Sequence, residues 1–194
     1  VSEDVYLVVG LGNPGPAYAH TRHNVGYRVA DLLAQRMGGT WKRHKSGRAQ
    51  VVEGRLGGLA GTRVVLGRAR SYMNESGGPV ASLLGFYKVP PARLVVVYDE
   101  LDIPYGALRV KYGGGDNGHN GLKSIRRSLG TGDYYRVRFG VGRPHGRQDP
   151  ADFLLSRFSA AERRDLDGHL ERCGDAVESL LDSGLEATQN VYNR

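Results

Sequence analysis

Apolar positions along the chain fall into strand-like runs and helix-like repeats. Val5 to Val9 is a short run rich in β-branched residues, the pattern of a buried strand. A glycine-rich turn follows, and then Val25, Val29, Leu32, Leu33 and Met37 recur at helical spacing. That helix is expected to begin late, with Thr21 or Asn24 near its cap. Pro14 and Pro16 each lack a donor and push their predecessors out of the helical region. Ala49 to Gly54 and Thr62 to Gly67 read as a hairpin joined through Gly57, Gly58 and Gly61. Val80, Leu83, Leu84 and Tyr87 give a second helix, stopped by Pro90-Pro91. Leu94 to Tyr98 is an uninterrupted apolar run, as in strands covered on both faces, and Asp99 closes it. Leu108 and Val110 alternate with Arg109 and Lys111, which reads as a one-sided, antiparallel strand. Leu122, Ile125 and Leu129 form a third helical stripe, and Tyr134 to Val141 a further strand. Asp149-Pro150 reads as an N-cap with proline at the first helical position. Ser159-x-x-Glu162 is a capping box opening a long helix, whose Leu166, Leu170, Cys173, Val177 and Leu180 stripe packs on the sheet. This order predicts one α/β domain over residues 1–194, a twisted mixed β-sheet flanked by helices.

Composition narrows the class. A net charge of +7 and a pI near 9.7 suit a polyanionic partner as well as simple solubility. The lone Cys173 excludes an internal disulfide framework and a cysteine metal cluster, in keeping with a reducing cytoplasm. Glu3 and Asp4 precede only five apolar residues, so no secretory leader is expected. No apolar run reaches transmembrane length, so no membrane partner is expected either.

Gly10-x-Gly12-x-x-Gly15 after a strand matches a dinucleotide-binding fingerprint. That motif needs a helix beginning inside the glycines to face a pyrophosphate, and the prolines around Gly15 prevent it. Ligands in open α/β sheets sit outside the carboxyl ends of the parallel strands. Those ends carry Asn13 and His23, then Met73 and Asn74, then Asp99, with His119 and Asn120 delivered by the loop Gly113 to Gly118. That loop is mobile by composition. Each polar residue has a plain structural explanation as a turn former, cap or surface group. Three strand ends carrying them together point to general-base hydrolysis. A histidine takes a proton from water near neutral pH, a carboxylate fixes its tautomer, and asparagines grip amides or a developing oxyanion without charge. There is no Gly-x-Ser-x-Gly elbow. His20-x-x-His23 lacks the intervening Glu of a zinc motif and an obvious third ligand, so neither metal nor cofactor is expected. Lys111, Lys123, Arg126, Arg127, Arg136 and Arg138 gather around the glycine loop and suit phosphate. Trp41 to Lys45 reads as a solvated basic connection anchored by its aromatic.

Four motifs in order then carry a resemblance. Gly10-Leu-Gly-Asn-Pro-Gly15 with Tyr18 to Asn24, Tyr72-Met-Asn-Glu-Ser-Gly77, Asp99-Glu-Leu-Asp102 and Gly113-Gly-Gly-x-x-Gly-His-Asn-Gly-Leu-Lys123 resemble bacterial-type peptidyl-tRNA hydrolase. The likeness runs from about Val5 to Gly142 and is less diagnostic in the C-terminal helices. It implies cleavage of the ester between a peptide and the tRNA 3′ end, with no metal, by a cytoplasmic monomer that needs no protein partner. It implies His23 as base and Asp99 as its orienting group. Asn13, Tyr18, Met73, Asn74, His119 and Asn120 would contact peptide and terminal adenosine, and Lys111 with Arg138 would hold the 5′-phosphate. Tyr72 stands where the family is expected to carry phenylalanine, and Asp116-Asn117 departs from its usual loop residues. Two other readings remain open at this point. A non-catalytic RNA-binding module would keep its function in His23→Ala, and a nucleotide-dependent enzyme would bind NAD or a similar ligand saturably.

Overall fold

In the computed structural model, which describes residues 4–194, seven strands share one sheet. They are β1 (Val5–Gly10), β2 (Lys42–Arg43), β3 (Ala49–Leu56), β4 (Thr62–Ala69), β5 (Leu94–Leu101), β6 (Leu108–Tyr112) and β7 (Tyr135–Gly142). Glu3, one of the two acids behind the leader expectation, lies outside the described residues. The order across the sheet is β2-β3-β4-β1-β5-β7-β6. The central four, β4, β1, β5 and β7, run parallel. β3 and β6 flank them antiparallel, and β2 pairs antiparallel with β3 at the edge. The mixed sheet expected from the pattern is therefore present. Its carboxyl-end rim at β4, β1 and β5 is where side chains can converge.

Alternation along the central strands builds two cores. Val8, Val95 and Val97 point to one face, and Leu7, Val9, Leu94 and Val96 to the other. The first face is covered by α1 (Val25–Arg36) and α6 (Leu166–Ser183), the second by α2 (Gly77–Tyr87) and α3 (Asn120–Leu129). Burial on both sides is why these strands read as continuous apolar runs. Cys173 belongs to the first core, where burial pushes its thiol up to about 12; it is packing, not chemistry.

Three expectations need correction. β5 continues through Leu101, so Asp99 lies inside the strand opposite Phe139 rather than at its end. Lys42–Arg43 is a short edge strand, not only a loop. Trp41 nonetheless acts as an anchor, donating its indole N–H to Asp31 at 2.9 Å. The capping box at Ser159 is formed, but it opens only the short α5 (Ala160–Arg163). The helix restarts at Leu166, and α6 packs on α1 as well as on β7. Asp149 caps α4 (Pro150–Leu154) as read, and α7 (Leu185–Tyr192) completes the chain's helices.

The glycines of the first turn bring helix and strand together. A Cβ on Gly26, in the first turn of α1, would stand 2.4 Å from the Val97 carbonyl and 2.6 Å from Leu11 N. A Cβ on Gly10 would stand 2.1 Å from the Gly26 carbonyl. Only hydrogen on both allows α1 to begin against β1 and β5, which sets the residue before it, Asn24, and then His23 beside Asp99.

Candidate active site

His23 sits in one 3-10 turn, Arg22–Asn24, between the Pro-Gly-Pro segment and α1. Thr21 precedes the turn, but its hydroxyl donates to Tyr18 O (2.9 Å) instead of capping it. The turn is held from both sides. Arg22 is buried, ion-paired with Glu162 at 2.9 Å and donating to Ser156 Oγ (2.5 Å) and Arg157 O (2.7 Å). Its guanidinium also lies 4.0 Å from the centre of the Phe153 ring. Asn24, on the other side, is the N-cap residue of α1 as read, but its side chain makes no capping bond. Its Oδ1 accepts the Asn13 N–H at 2.8 Å and its Nδ2 donates to the Asn13 carbonyl at 2.9 Å. Asn13 Oδ1 in turn accepts the Met73 N–H at 2.7 Å. Backbone donors fix the orientation of both amides. The Nδ2 of Asn13 is left with no hydrogen-bond partner among the described residues. Arg22 and Asn24 are the supports that motif reading missed; their only signal was adjacency to His23.

The centre is Asp99, 1% exposed, with a histidine on each carboxylate oxygen. His23 Nδ1 stands 2.6 Å from Oδ2, and His119 Nε2 stands 2.9 Å from Oδ1. The tautomers follow from the donors around them. His119 is the N-cap of α3, and its Nδ1 accepts N–H groups of Gly121 (3.1 Å) and Leu122 (3.4 Å). Nδ1 is therefore unprotonated, and Nε2–H donates to Asp99. His23 donates Nδ1–H to the other oxygen, so its Nε2 carries a lone pair. Burial acts to lower the His23 pKa, but the charge and hydrogen bond of Asp99 outweigh it and hold the imidazole above its ordinary value. Asp99 is likewise opposed by burial, yet the two histidines hold its carboxyl well below the usual range.

These three residues also offer metal-ligand atoms within 4.8 Å of one another. The hydrogen bonding does not fit an ion. A metal on His119 Nε2 would put a proton on Nδ1, against the two amides that now donate to it.

Asn13 and Met73 thus share one hydrogen-bond network with Asn24, and His23, Asp99 and His119 form a second beside it. The Met73 sulfur and His119 Cε1 lie 2.8 and 3.0 Å from where a Cβ of Gly121 would stand, so thioether and imidazole are neighbours. Tyr18, Asn74 and Asn120 sit at the rim without side-chain hydrogen bonds to either network among the described residues. Tyr18 is half-buried and meets Tyr72 edge-on at 6.1 Å. Asn74 and Asn120, the latter the first residue of α3, are exposed. Lys111 and Arg138 form a separate cluster on β6 and β7. Arg138 lies 3.8 Å from Glu100, the residue after Asp99. Lys111 has its pKa lowered by burial and then by the charges of Arg138 and Arg136.

Arg136, read from sequence as a phosphate contact, is 1% exposed and serves another purpose. It donates to the carbonyls of Gly114 (2.7 Å), Gly132 (2.9 Å) and Gly115. With Gly113 N–H on the Tyr134 carbonyl at 2.8 Å, it pins the base of the glycine loop that composition alone marks as mobile.

A buried carboxylate shared by two histidines, beside an asparagine pair at the rim of an α/β sheet, is an arrangement suited to a hydrolase. Similarity to known proteins says which one. The family model described as peptidyl-tRNA hydrolase matches residues 7–194, including the C-terminal helices. The peptidyl-tRNA hydrolase of Streptomyces coelicolor is 61% identical over 190 residues, covering 97% of this chain and 94% of the relative. That of Rhodococcus erythropolis is 58% identical over 190 residues, covering 98% of each. The solved peptidyl-tRNA hydrolase of Acinetobacter baumannii superposes with a TM-score of 0.89 at 32% identity, covering 100% of this chain and 97% of that one. The chain belongs to the peptidyl-tRNA hydrolase family.

Proposed function

We propose that this chain carries out its family's reaction, hydrolysis of peptidyl-tRNA, by general-base catalysis at His23. The observation that carries the reading is the Asp99 carboxylate shared between His23 Nδ1 and His119 Nε2, which leaves His23 Nε2 as the free base. Nε2 takes a proton from water as its oxygen attacks the ester carbonyl. Asp99 stabilises the imidazolium that forms. The open Nδ2 of Asn13 donates to the oxyanion, held in place by Asn24 and Met73. Collapse of the tetrahedral intermediate breaks the bond to the ribose 3′ oxygen, which takes the proton back from His23. Free peptide acid and tRNA leave. Asn74, Asn120 and Tyr18 line the approach for peptide and terminal adenosine.

Lys111 and Arg138 receive the 5′-phosphate. Burial and mutual repulsion disfavour the charge on Lys111, and an arriving anion relieves both. Among the described residues no helix is long and apolar enough to cross a membrane. The reading carries with it a cytoplasmic monomer that recycles tRNA from peptidyl-tRNA lost by ribosomes, with no obligate protein partner.

The test follows release of tRNA from N-acetyl-aminoacyl-tRNA in the presence of EDTA. His23→Ala is expected to fold normally and to lose roughly 10²- to 10⁴-fold in rate. Wild-type activity that vanishes with EDTA, or survives in the variant, overturns the mechanism.

A further inference from the structure

Beside the reaction centre, between the start of α2 and the outer side of α3, lies an open groove of roughly 680 Å³. Arg48, Arg70 and Arg127 line it, together with Asn74 and Ser124. All three arginines are exposed, and no carboxylate of the described residues stands within ion-pair distance of any of them, the groove's own Glu75 included. Several other arginines, by contrast, stand close to carboxylates. Arg22 has Glu162, Arg68 has Asp31, and Arg36 has Glu171, Asp175 and Glu178. The groove is also built to keep its charge in place. Arg48 packs against Gly78, where a Cβ would stand 2.0 Å from its Nη2, and Arg70 is oriented by the Gly47 carbonyl at 2.8 Å.

The groove continues the active-site rim. Met73 neighbours His119, and Asn74 follows it into the groove. On α3, Ser124 and Arg127 lie one and two turns beyond Asn120, so Arg127 is about 10 Å along the helix from the rim. Lys123 and Arg126 extend the same exposed basic ridge.

We propose that this groove is a second phosphate-binding track, distinct from Lys111 and Arg138. It holds the sugar-phosphate backbone of the substrate's single-stranded 3′ end as that strand enters the reaction centre. The inference rests on the peptidyl-tRNA reading above. Exposed guanidinium groups with open donor forks match phosphate oxygens bidentately, and an unpaired cationic track favours a polyanion over a peptide of arbitrary sequence.

The test measures binding of deacylated tRNA across a salt series, and kcat and KM on N-acetyl-aminoacyl-tRNA. It compares wild type, Arg48→Gln/Arg70→Gln, Arg127→Gln, and Arg164→Gln as an exposed control just after α5. The double variant is expected to bind deacylated tRNA about fivefold or more weakly at low salt. Its log K against log salt slope should be shallower by about 1 to 2, and the kinetic loss should fall on KM rather than kcat. The deficit should persist on tRNA stripped of its 5′-phosphate. A slope equal to that of Arg164→Gln overturns the track. Unchanged binding of deacylated tRNA with a raised KM for the acylated substrate also overturns it and gives the groove to the peptide. Wild-type protein that neither binds nor hydrolyses would instead remove the functional reading beneath it.

Discussion

Asp99 shows how much one side chain decides here. Both oxygens accept from histidines, and neither can become a donor without displacing one of them. Asp99→Asn changes no volume but replaces one acceptor with an NH₂ group. That group faces either His23 Nδ1–H or His119 Nε2–H, and His119 cannot turn its tautomer without opposing Gly121 and Leu122. His23 is then forced into the tautomer with its proton on Nε2, where the base is needed. The charge that raises the His23 pKa is lost as well, leaving the downward effect of burial unopposed. Because the base must be neutral to act, the acidic limb of kcat/KM marks the pH at which His23 loses its proton. For wild type that limb is expected above the ordinary histidine value of 6.5. For Asp99→Asn it should move to lower pH, with kcat reduced on the order of 10²- to 10⁴-fold. A full pH–rate profile of both proteins decides it; an acidic limb that does not move would mean that Asp99 does not set the protonation of the base.

At the scale of elements, the site depends on segments too short to announce themselves. The 3-10 turn of His23 and the glycine loop before His119 carry little periodicity; the turn is held by its own buried Arg22 and the loop by Arg136 of β7. Arg136 holds the loop through three carbonyls. Arg136→Met keeps the aliphatic stem but removes every donor, and is expected to destabilise the fold by roughly 1–3 kcal/mol. Hydrogen exchange at residues 113 to 118 should accelerate more than exchange in the β1 core. Uniform acceleration would show a global role instead.

The same scale explains what could be read beforehand. The strands β1, β4 and β5 and the helices α1 and α3 were legible because apolar spacing reports burial directly. His23, Asp99, Asn13 and His119 were legible because motifs in order located the rim. Arg22 and the true role of Arg136 were not, since partners 131 to 140 residues away, or a loop's carbonyls, leave no local pattern; nor was the pairing of Asn24 with Asn13 across the turn, which no periodicity reports. The extension of β5 through Asp99 was hidden for a related reason. A charged residue inside a strand looks like an end until its partners are known.

Across the whole molecule, the +7 charge is unevenly placed. Three acids of α6, Glu171, Asp175 and Glu178, pair with Arg36 on the face covered by α1 and α6. Lys123, Arg126 and Arg127 stand exposed on α3, across the sheet, and Lys111 and Arg138 lie on the β6–β7 edge. A polyanion is therefore drawn to the α3 side and the rim, and such steering weakens as salt rises. Within this field the β6–β7 pair has a separable share. Lys111→Gln and Arg138→Gln should each raise KM. Together they should flatten the log K against log salt slope for tRNA by about 1 for every phosphate no longer neutralised. If the bound group is the 5′-phosphate, removing that phosphate from the substrate should cost wild type the same factor and cost the double variant almost nothing. Protein change and substrate change then remove one interaction, not two. Losses that simply add would place the phosphate elsewhere and leave Lys111 and Arg138 as contributors to the general field alone.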